Sequence, residues 1–129
     1  MLMNNNHITI SEDKKIVTWN HKQNEIRKVF NYPIDDLEVT KNNIIYILSS
    51  YKEVTDSRNV FQYDFLGNLI GTVPLPFTDI NIRSFYGMDL LANDHITFYL
   101  DTLTEKYQWE TRIKYDPSKK IFYDRKRCK

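Results

Sequence analysis

A short phrase that returns along the chain is the strongest constraint on its fold. The phrase is an aromatic residue followed at once by a polar one, then a turn, then an apolar residue that opens a new strand. It stands at Trp19, Asn20, Asn24 and Ile26, at Tyr63, Asp64, Asn68 and Ile70, and more loosely at Tyr115, Asp116, Lys120 and Phe122. Two strands joined by a tight polar turn are typical of an antiparallel hairpin. The chain is therefore predicted to repeat one small unit of sheet.

The spacing of the copies gives the size of this unit. The first two copies lie 44 residues apart, and residues 6–9 return as 94–97 at an offset of 88, twice that spacing. Further pairs at the offset of 44 are Val29 with Val73 and Asp35 with Asp79. A period in the forties is typical of a four-stranded propeller blade.

The residues between the copies also favour strands. Aromatic residues make up 14% of the sequence, and apolar and polar residues alternate from Asn59 to Phe65 and from Arg112 to Tyr115, as in half-buried strands. No segment shows the apolar stripe of a helix. Strands are predicted over residues 7–11, 14–19, 25–31, 34–40, 43–51, 59–65, 69–75, 79–85, 94–101, 107–116 and 120–125.

These strands group into blade-like units of an all-β single domain over residues 1–129. The units are a partial blade over 7–31 and antiparallel four-stranded blades over 34–75 and 79–125. A closed propeller needs roughly four to eight blades, so we expect an open partial (half) β-propeller. The stretch from Phe61 to Ile70 resembles the blade repeats of bacterial lipoproteins and NHL-type proteins. That resemblance implies the third and fourth strands of a blade and transfers no catalytic residue.

Charge and composition argue against several classes of function. The formal net charge is +1, which gives no overall attraction to nucleic acid or to an anionic membrane. Residues 119–129 hold six basic side chains and one acidic one, so the preceding part has a net charge of −4. We interpret the basic tail as a solvated edge strand. The chain shows no secretory signal and no apolar run that could cross a bilayer, so we expect a cytoplasmic protein without membrane contact.

No pattern of residues points to catalysis, a cofactor or a metal. The sequence has no glycine-rich phosphate loop, nucleophile elbow or zinc-ligand spacing, and its one cysteine, Cys128, has no internal disulfide partner. His7 and His95 occupy equivalent repeat positions and His21 a predicted turn, so we expect these side chains to stay apart. For the adjacent carboxylates Asp35 and Asp36, turn capping is favoured over acid and base catalysis. We expect a protein that is not an enzyme.

The loops at one end of the predicted blades are rich in acids and bordered by aromatic rings. Candidate partner-binding residues are Asp35, Asp36, Tyr51, Glu53, Asp56, Arg58, Asp79, Glu105, Tyr107 and Trp109. Acidic groups steer the approach of a basic protein partner, and buried aromatic rings supply affinity. A small β-rich protein with such a face resembles, by class, the immunity proteins of contact-dependent inhibition. The resemblance implies binding and blocking of a basic toxin domain, such as a nuclease.

Two alternatives stay open. One is a homo-oligomeric β-repeat assembly module, in which another copy completes the open sheet edges. The other is a carbohydrate-binding or hydrolytic β-domain that stacks a sugar on Tyr107 and Trp109, with Asp101 or Glu110 as the acid.

Overall fold

The chain folds entirely into strands wherever its structure is described. The computed structural model describes residues 8–49, 58–74, 76, 82–102 and 110–128, and in them it contains strands and no helix. The strands are β1 (Thr9–Ile10), β2 (Ile16–His21), β3 (Asn24–Val29), β4 (Ile34–Val39), β5 (Ile44–Ser49), β6 (Val60–Asp64), β7 (Leu69–Thr72), β8 (Ile82–Leu90), β9 (Ile96–Thr102), β10 (Glu110–Asp116) and β11 (Ile121–Cys128). Each predicted strand has an observed counterpart, so the all-β prediction is confirmed.

The strands form three antiparallel sheets, each made of strands that follow one another in the sequence. Their orders are β1-β2-β3, β4-β5-β6-β7 and β8-β9-β10-β11, and we call them sheet 1, sheet 2 and sheet 3. Every pairing is antiparallel. The sheets are open rather than closed on themselves. This arrangement of three- and four-stranded units is consistent with part of a propeller.

Sheet 2 lies between the other two sheets and is covered on both faces. Ile45 of β5 belongs to a core shared with Trp19 of sheet 1, whereas its neighbour Tyr46 belongs to a second core shared with Phe98 of sheet 3. The strand Ile44–Ser49 is an almost continuous apolar run because neither of its faces meets water. The molecule therefore has two hydrophobic cores with one sheet in common.

The repeated phrase occupies the last hairpin of each sheet, namely β2–β3, β6–β7 and β10–β11. Trp19 is buried, and its indole Nε1 donates a hydrogen bond of 2.9 Å to the carbonyl of Phe65. The centroid of its ring lies 6.5 Å from that of Tyr63. The aromatic residues of the first two copies thus pack against each other, whereas Tyr115 of the third copy lies in the core that sheets 2 and 3 share.

Gly67 sits where the hairpin of sheet 2 approaches sheet 1 most closely. Its backbone has a positive φ of 91°. A Cβ at this position would lie 2.8 Å from Cγ2 of Ile26, well inside van der Waals contact. The turn is closed by Asp64, whose carboxylate accepts the backbone N–H of Asn68 at 2.9 Å. Both the backbone conformation and the close approach therefore require glycine.

Strand β8 departs most from the predicted strand ends. The sequence predicts a strand over 79–85, but β8 runs from Ile82 to Leu90, and the predicted start lies outside the described residues. The register with β9 shifts between Phe85 and Gly87, which marks a bulge at Tyr86. A bulge breaks the alternation of apolar and polar residues. The sequence pattern that predicts a strand therefore ends at residue 85, although β8 continues to Leu90.

Polar contacts fix sheet 3 onto sheet 2. The buried amide of Asn59 donates to the carbonyls of Ser49 at 2.9 Å and Phe85 at 2.7 Å, and it accepts the N–H of Phe85 at 3.0 Å. In the turns at the other end of these sheets, the carboxylate of Asp94 accepts the backbone N–H of Lys41 at 2.9 Å. The two sheets are thus held at both ends of their strands.

Candidate functional site

Three of the predicted partner-binding residues fall within the described residues, namely Asp35, Asp36 and Arg58. The others lie outside the described residues: Tyr51, Glu53, Asp56, Asp79, Glu105, Tyr107 and Trp109. The same holds for the aromatic platform of the carbohydrate-binding alternative.

Backbone hydrogen bonds bring two predicted loops together at one end of sheets 1 and 2. The N–H of Phe30 donates to the carbonyl of Lys15 at 2.8 Å, and that of Ile34 donates to the carbonyl of Lys14 at 2.7 Å. The β1–β2 loop and the β3–β4 connection therefore form one continuous surface, as blade geometry predicts.

Asp35 and Asp36 lie in the first residues of β4, next to this surface. With Ile10 and Lys14 of sheet 1 they line an open cavity of about 460 Å³ between β1 and β4. The register of β4 with β5 shifts between Ile34 and Asp36. Such a bulge re-aims side chains, and here it falls at the two adjacent carboxylates.

Asp36 also belongs to a line of carboxylates between β4 and β8, which we call the acidic strip: Asp35, Asp36, Glu38 and Asp89. Asp36 accepts the N–H of Leu37 at 2.8 Å and that of Met88 in β8. Asp89 accepts the hydroxyl of Tyr99 at 2.6 Å. The strip thus spans β4 and β8, an edge strand of sheet 2 and an edge strand of sheet 3.

Electrostatic crowding distinguishes the acidic strip from ordinary surface carboxylates. Partial burial, reinforced by the negative charges of Asp36 and Asp89, raises the pKa of Glu38 to about 7. Burial also raises the pKa of Asp36, against hydrogen bonds from the backbone that lower it. Among the described residues, no cation forms a salt bridge with the strip. Within the described part of the chain, negative charge is therefore concentrated along the strip, and Lys14, which lines the cavity with Asp35 and Asp36, forms no salt bridge with them.

Sequence reasoning identified Asp35 and Asp36 but missed Glu38 and Asp89. A local signal for Glu38 exists, since positions two apart on a strand share a face and Glu38 follows Asp36 at that spacing. Nothing local places Asp89 beside them. Its position depends on how sheet 3 packs on sheet 2.

The histidines take separate structural roles. His21 stacks on Phe65 with ring centroids 6.5 Å apart. His95 Nδ1 lies 2.5 Å from the hydroxyl of Tyr123, and its Nε2 lies 3.6 Å from the carboxylate of Asp116. These contacts join the ends of β9, β10 and β11. His7 lies outside the described residues, and the residues that are described contain no cluster of three or more His, Cys, Asp or Glu side chains suited to a metal ion.

A second cavity, of about 550 Å³, opens between sheets 1 and 2, and we call it the aromatic cavity. Its described lining consists of Val29, Phe30, Asn31, Tyr32, Ser49, Arg58, Phe61, Tyr63 and Thr72. The ring centroid of Phe30 lies 5.7 Å from that of Phe61 and 6.3 Å from that of Tyr63. Arg58, predicted to bind a partner through the loop face, lines this cavity and not the acidic strip.

Comparison with known proteins adds no family to this description. No protein-family model matches the chain, and neither the curated proteins nor the solved structures contain a match. Across the part of the chain that is described, no helix is long and apolar enough to span a membrane.

Proposed function

We propose that the chain is a non-catalytic binding protein for a basic protein partner, and specifically an immunity protein that binds and blocks a bacterial toxin domain. A nuclease of a contact-dependent inhibition system is the toxin class with the fitting chemistry, since a nuclease presents a cationic surface to its nucleic-acid substrate. The cytoplasm is where such a toxin would act and where we place the protein.

One observation carries this proposal. The acidic strip holds four carboxylates along two packed strands, and no described cation pairs with it. Keeping these charges together costs free energy in the unbound protein, as the raised pKa of Glu38 indicates. Lysine or arginine side chains of a partner would relieve that repulsion, so the strip favours a cationic partner over a neutral one.

Charge-neutralising variants test the proposal. The partner to titrate is an inactive form of the toxin domain encoded by the adjacent upstream gene. We expect D36N/E38Q to weaken binding by roughly tenfold or more and to slow association, because steering charges act mainly on the rate of encounter. The matched control is E25Q/D124N, which removes two exposed carboxylates, one in β3 and one in β11, outside the strip.

Equal affinity of the two double variants would remove the strip from the interface. A purified, folded chain that fails to bind this domain at micromolar concentration would count against the immunity function itself.

Proton release gives a second, independent readout. A partner cation beside Glu38 favours its ionised form, so binding at pH 7 should release protons and tighten as the pH rises from 6 to 8. Calorimetry in buffers of different ionisation enthalpy measures this release, and E38Q should abolish most of it. Proton uptake on binding would contradict a cationic contact at this position.

A further inference from the structure

We propose that the aromatic cavity is a binding site for a small aromatic anion, with the ring of the ligand packed against Phe30, Phe61 and Tyr63 and its anionic group on Arg58. The site lies apart from the acidic strip, and the inference does not depend on the proposed function. It rests on the shape, the lining and the charge of the cavity.

The size and lining of the cavity suit a small planar molecule. Its volume of about 550 Å³ falls in the range of ligand pockets, roughly 300–1,000 Å³. Phe30 is tilted by 54° from Phe61 and stands at 87° to Tyr63. Walls inclined in this way offer both ring faces and ring edges, and an inserted ring can meet them in the stacked and edge-to-face geometries that aromatic pairs prefer.

Polar groups in the wall are available to orient a ligand. Within the described structure, the hydroxyls of Tyr32, Tyr63 and Thr72 make no hydrogen bond to the protein. A few convergent polar groups in a mainly apolar lining are the usual composition of a ligand pocket.

The sign of the charge favours an anion. Arg58 lies in the wall, and its guanidinium carries five N–H donors, so it can serve a ligand in addition to a contact within the protein. The ammonium of Lys28 lies 5.5 Å from the centroid of the Tyr63 ring. The described lining contains no carboxylate. Along the described lining, a carboxylate or sulfonate attached to an aromatic ring would therefore meet the cation Arg58 and no acid.

Titration with matched naphthalene probes tests the assignment. We expect naphthalene-2-sulfonate to bind with a dissociation constant of roughly 10–500 µM, the strength reached by ligands of this size. Its cationic counterpart, 2-naphthylmethylammonium, should bind at least about tenfold more weakly. NMR shifts should fall on the ring signals of Phe30, Phe61 and Tyr63.

Two substitutions separate the parts of the site. R58Q should weaken sulfonate binding by about tenfold or more, because hydrogen bonds to charged groups are the strong ones. R27Q removes the same charge from a residue of β3 that does not line the cavity and should leave binding unchanged. F61L replaces the ring by a smaller aliphatic side chain and should weaken binding of the aromatic ligand severalfold. Thermal unfolding of each variant verifies that it is folded.

Several results would overturn the assignment. They are the absence of sulfonate binding at millimolar concentration, binding of the cation as tight as that of the anion, and R58Q equal to R27Q. Shifts confined to residues away from the cavity would do so as well, even if the variants prove too unstable to compare.

Discussion

At the scale of single residues, two small residues stabilise the contacts between sheets. Asn59 uses its side-chain amide as a peptide group would, donating to and accepting from the backbone of Phe85 in the next sheet. Gly67 supplies a conformation and a clearance that other residues lack. Both residues act between sheets, and each gives a prediction.

Replacing Asn59 by alanine should lower the free energy of unfolding by about 2–4 kcal/mol. The substitution leaves the N–H and C=O of Phe85 and the C=O of Ser49 without their side-chain partner in a buried place. Urea unfolding measures the loss. The exposed Asn31 is the control, and N31A should change stability by less than about 0.5 kcal/mol. A loss of unfolding free energy for N59A as small as that for N31A would show that the hydrogen bonds of Asn59 contribute little to stability.

Replacing Gly67 by alanine should cost about 1–3 kcal/mol. An alanine at this position would have to adopt an unfavourable φ of 91°. Its Cβ would lie only 2.8 Å from Cγ2 of Ile26. The double variant I26A/G67A relieves the clash but not the strain, so its cost should fall short of the sum of the single costs by at least about 0.5 kcal/mol. Strict additivity in urea unfolding would mean that the clash relaxes without cost.

At the scale of strands and hairpins, much of the fold follows from local sequence. The hairpins are predictable because their turn residues and the alternation beside them act over a few positions, as in Leu66, Gly67 and Asn68. The bulge at Tyr86 hides the second half of β8 from the same reasoning. The acidic strip is predictable only in part, because Asp89 meets Asp36 and Glu38 through the packing of two sheets. Arg58 shows the same limit, since the sequence places it in a loop and the fold places it in a cavity wall.

The packing of β4 of sheet 2 against β8 of sheet 3 also predicts how stability depends on pH. The pKa of Glu38 is about 7 in the folded protein and near 4.5 in an unfolded chain. The contribution of protonated Glu38 to the free energy of unfolding is fully present below about pH 4.5 and is lost as the pH rises through 7. Because the side chain is only partly buried, we expect a loss on the order of 1 kcal/mol between pH 5 and pH 8.

E38Q tests this contribution directly. The substitution should remove that part of the pH dependence and make the variant more stable than the parent at pH 8. Urea unfolding at the two pH values measures it, with E25Q as the control that keeps the parental slope. A parent whose stability rises between pH 5 and pH 8 by as much as that of E38Q would refute the role of Glu38.

At the scale of the whole molecule, sheets 1 and 3 are the two ends of the stack of sheets, and each has an outer face that no further sheet covers. Thr18 pairs with Arg27 on the outer face of sheet 1, beside the apolar pair of Ile16 and the exposed Val29, and Lys114 pairs with Thr97 on the outer face of sheet 3. Terminal units of repeat proteins have such polar outer faces because no further unit covers them. The polar ends speak against the assembly module in which copies continue the stack.

The chain should therefore be monomeric. Light scattering at protein concentrations of about 10–100 µM should give a mass near 15.5 kDa, because the polar pairs on the outer faces limit the apolar area that a second copy could bury there. Raising the salt concentration is the control for weak charge pairing. A stable dimer or ring at every salt concentration would revive the assembly alternative.

The shared middle sheet has a consequence for synthesis on the ribosome. Sheet 1 emerges first and can cover one face of sheet 2 as soon as β4 to β7 are complete, since each sheet is a continuous piece of chain. The other face of sheet 2, with Tyr46 and Leu48, stays uncovered until sheet 3 has been synthesised. A nascent chain halted after β7 would expose that hydrophobic surface. We expect chaperones to bind the chain at this stage.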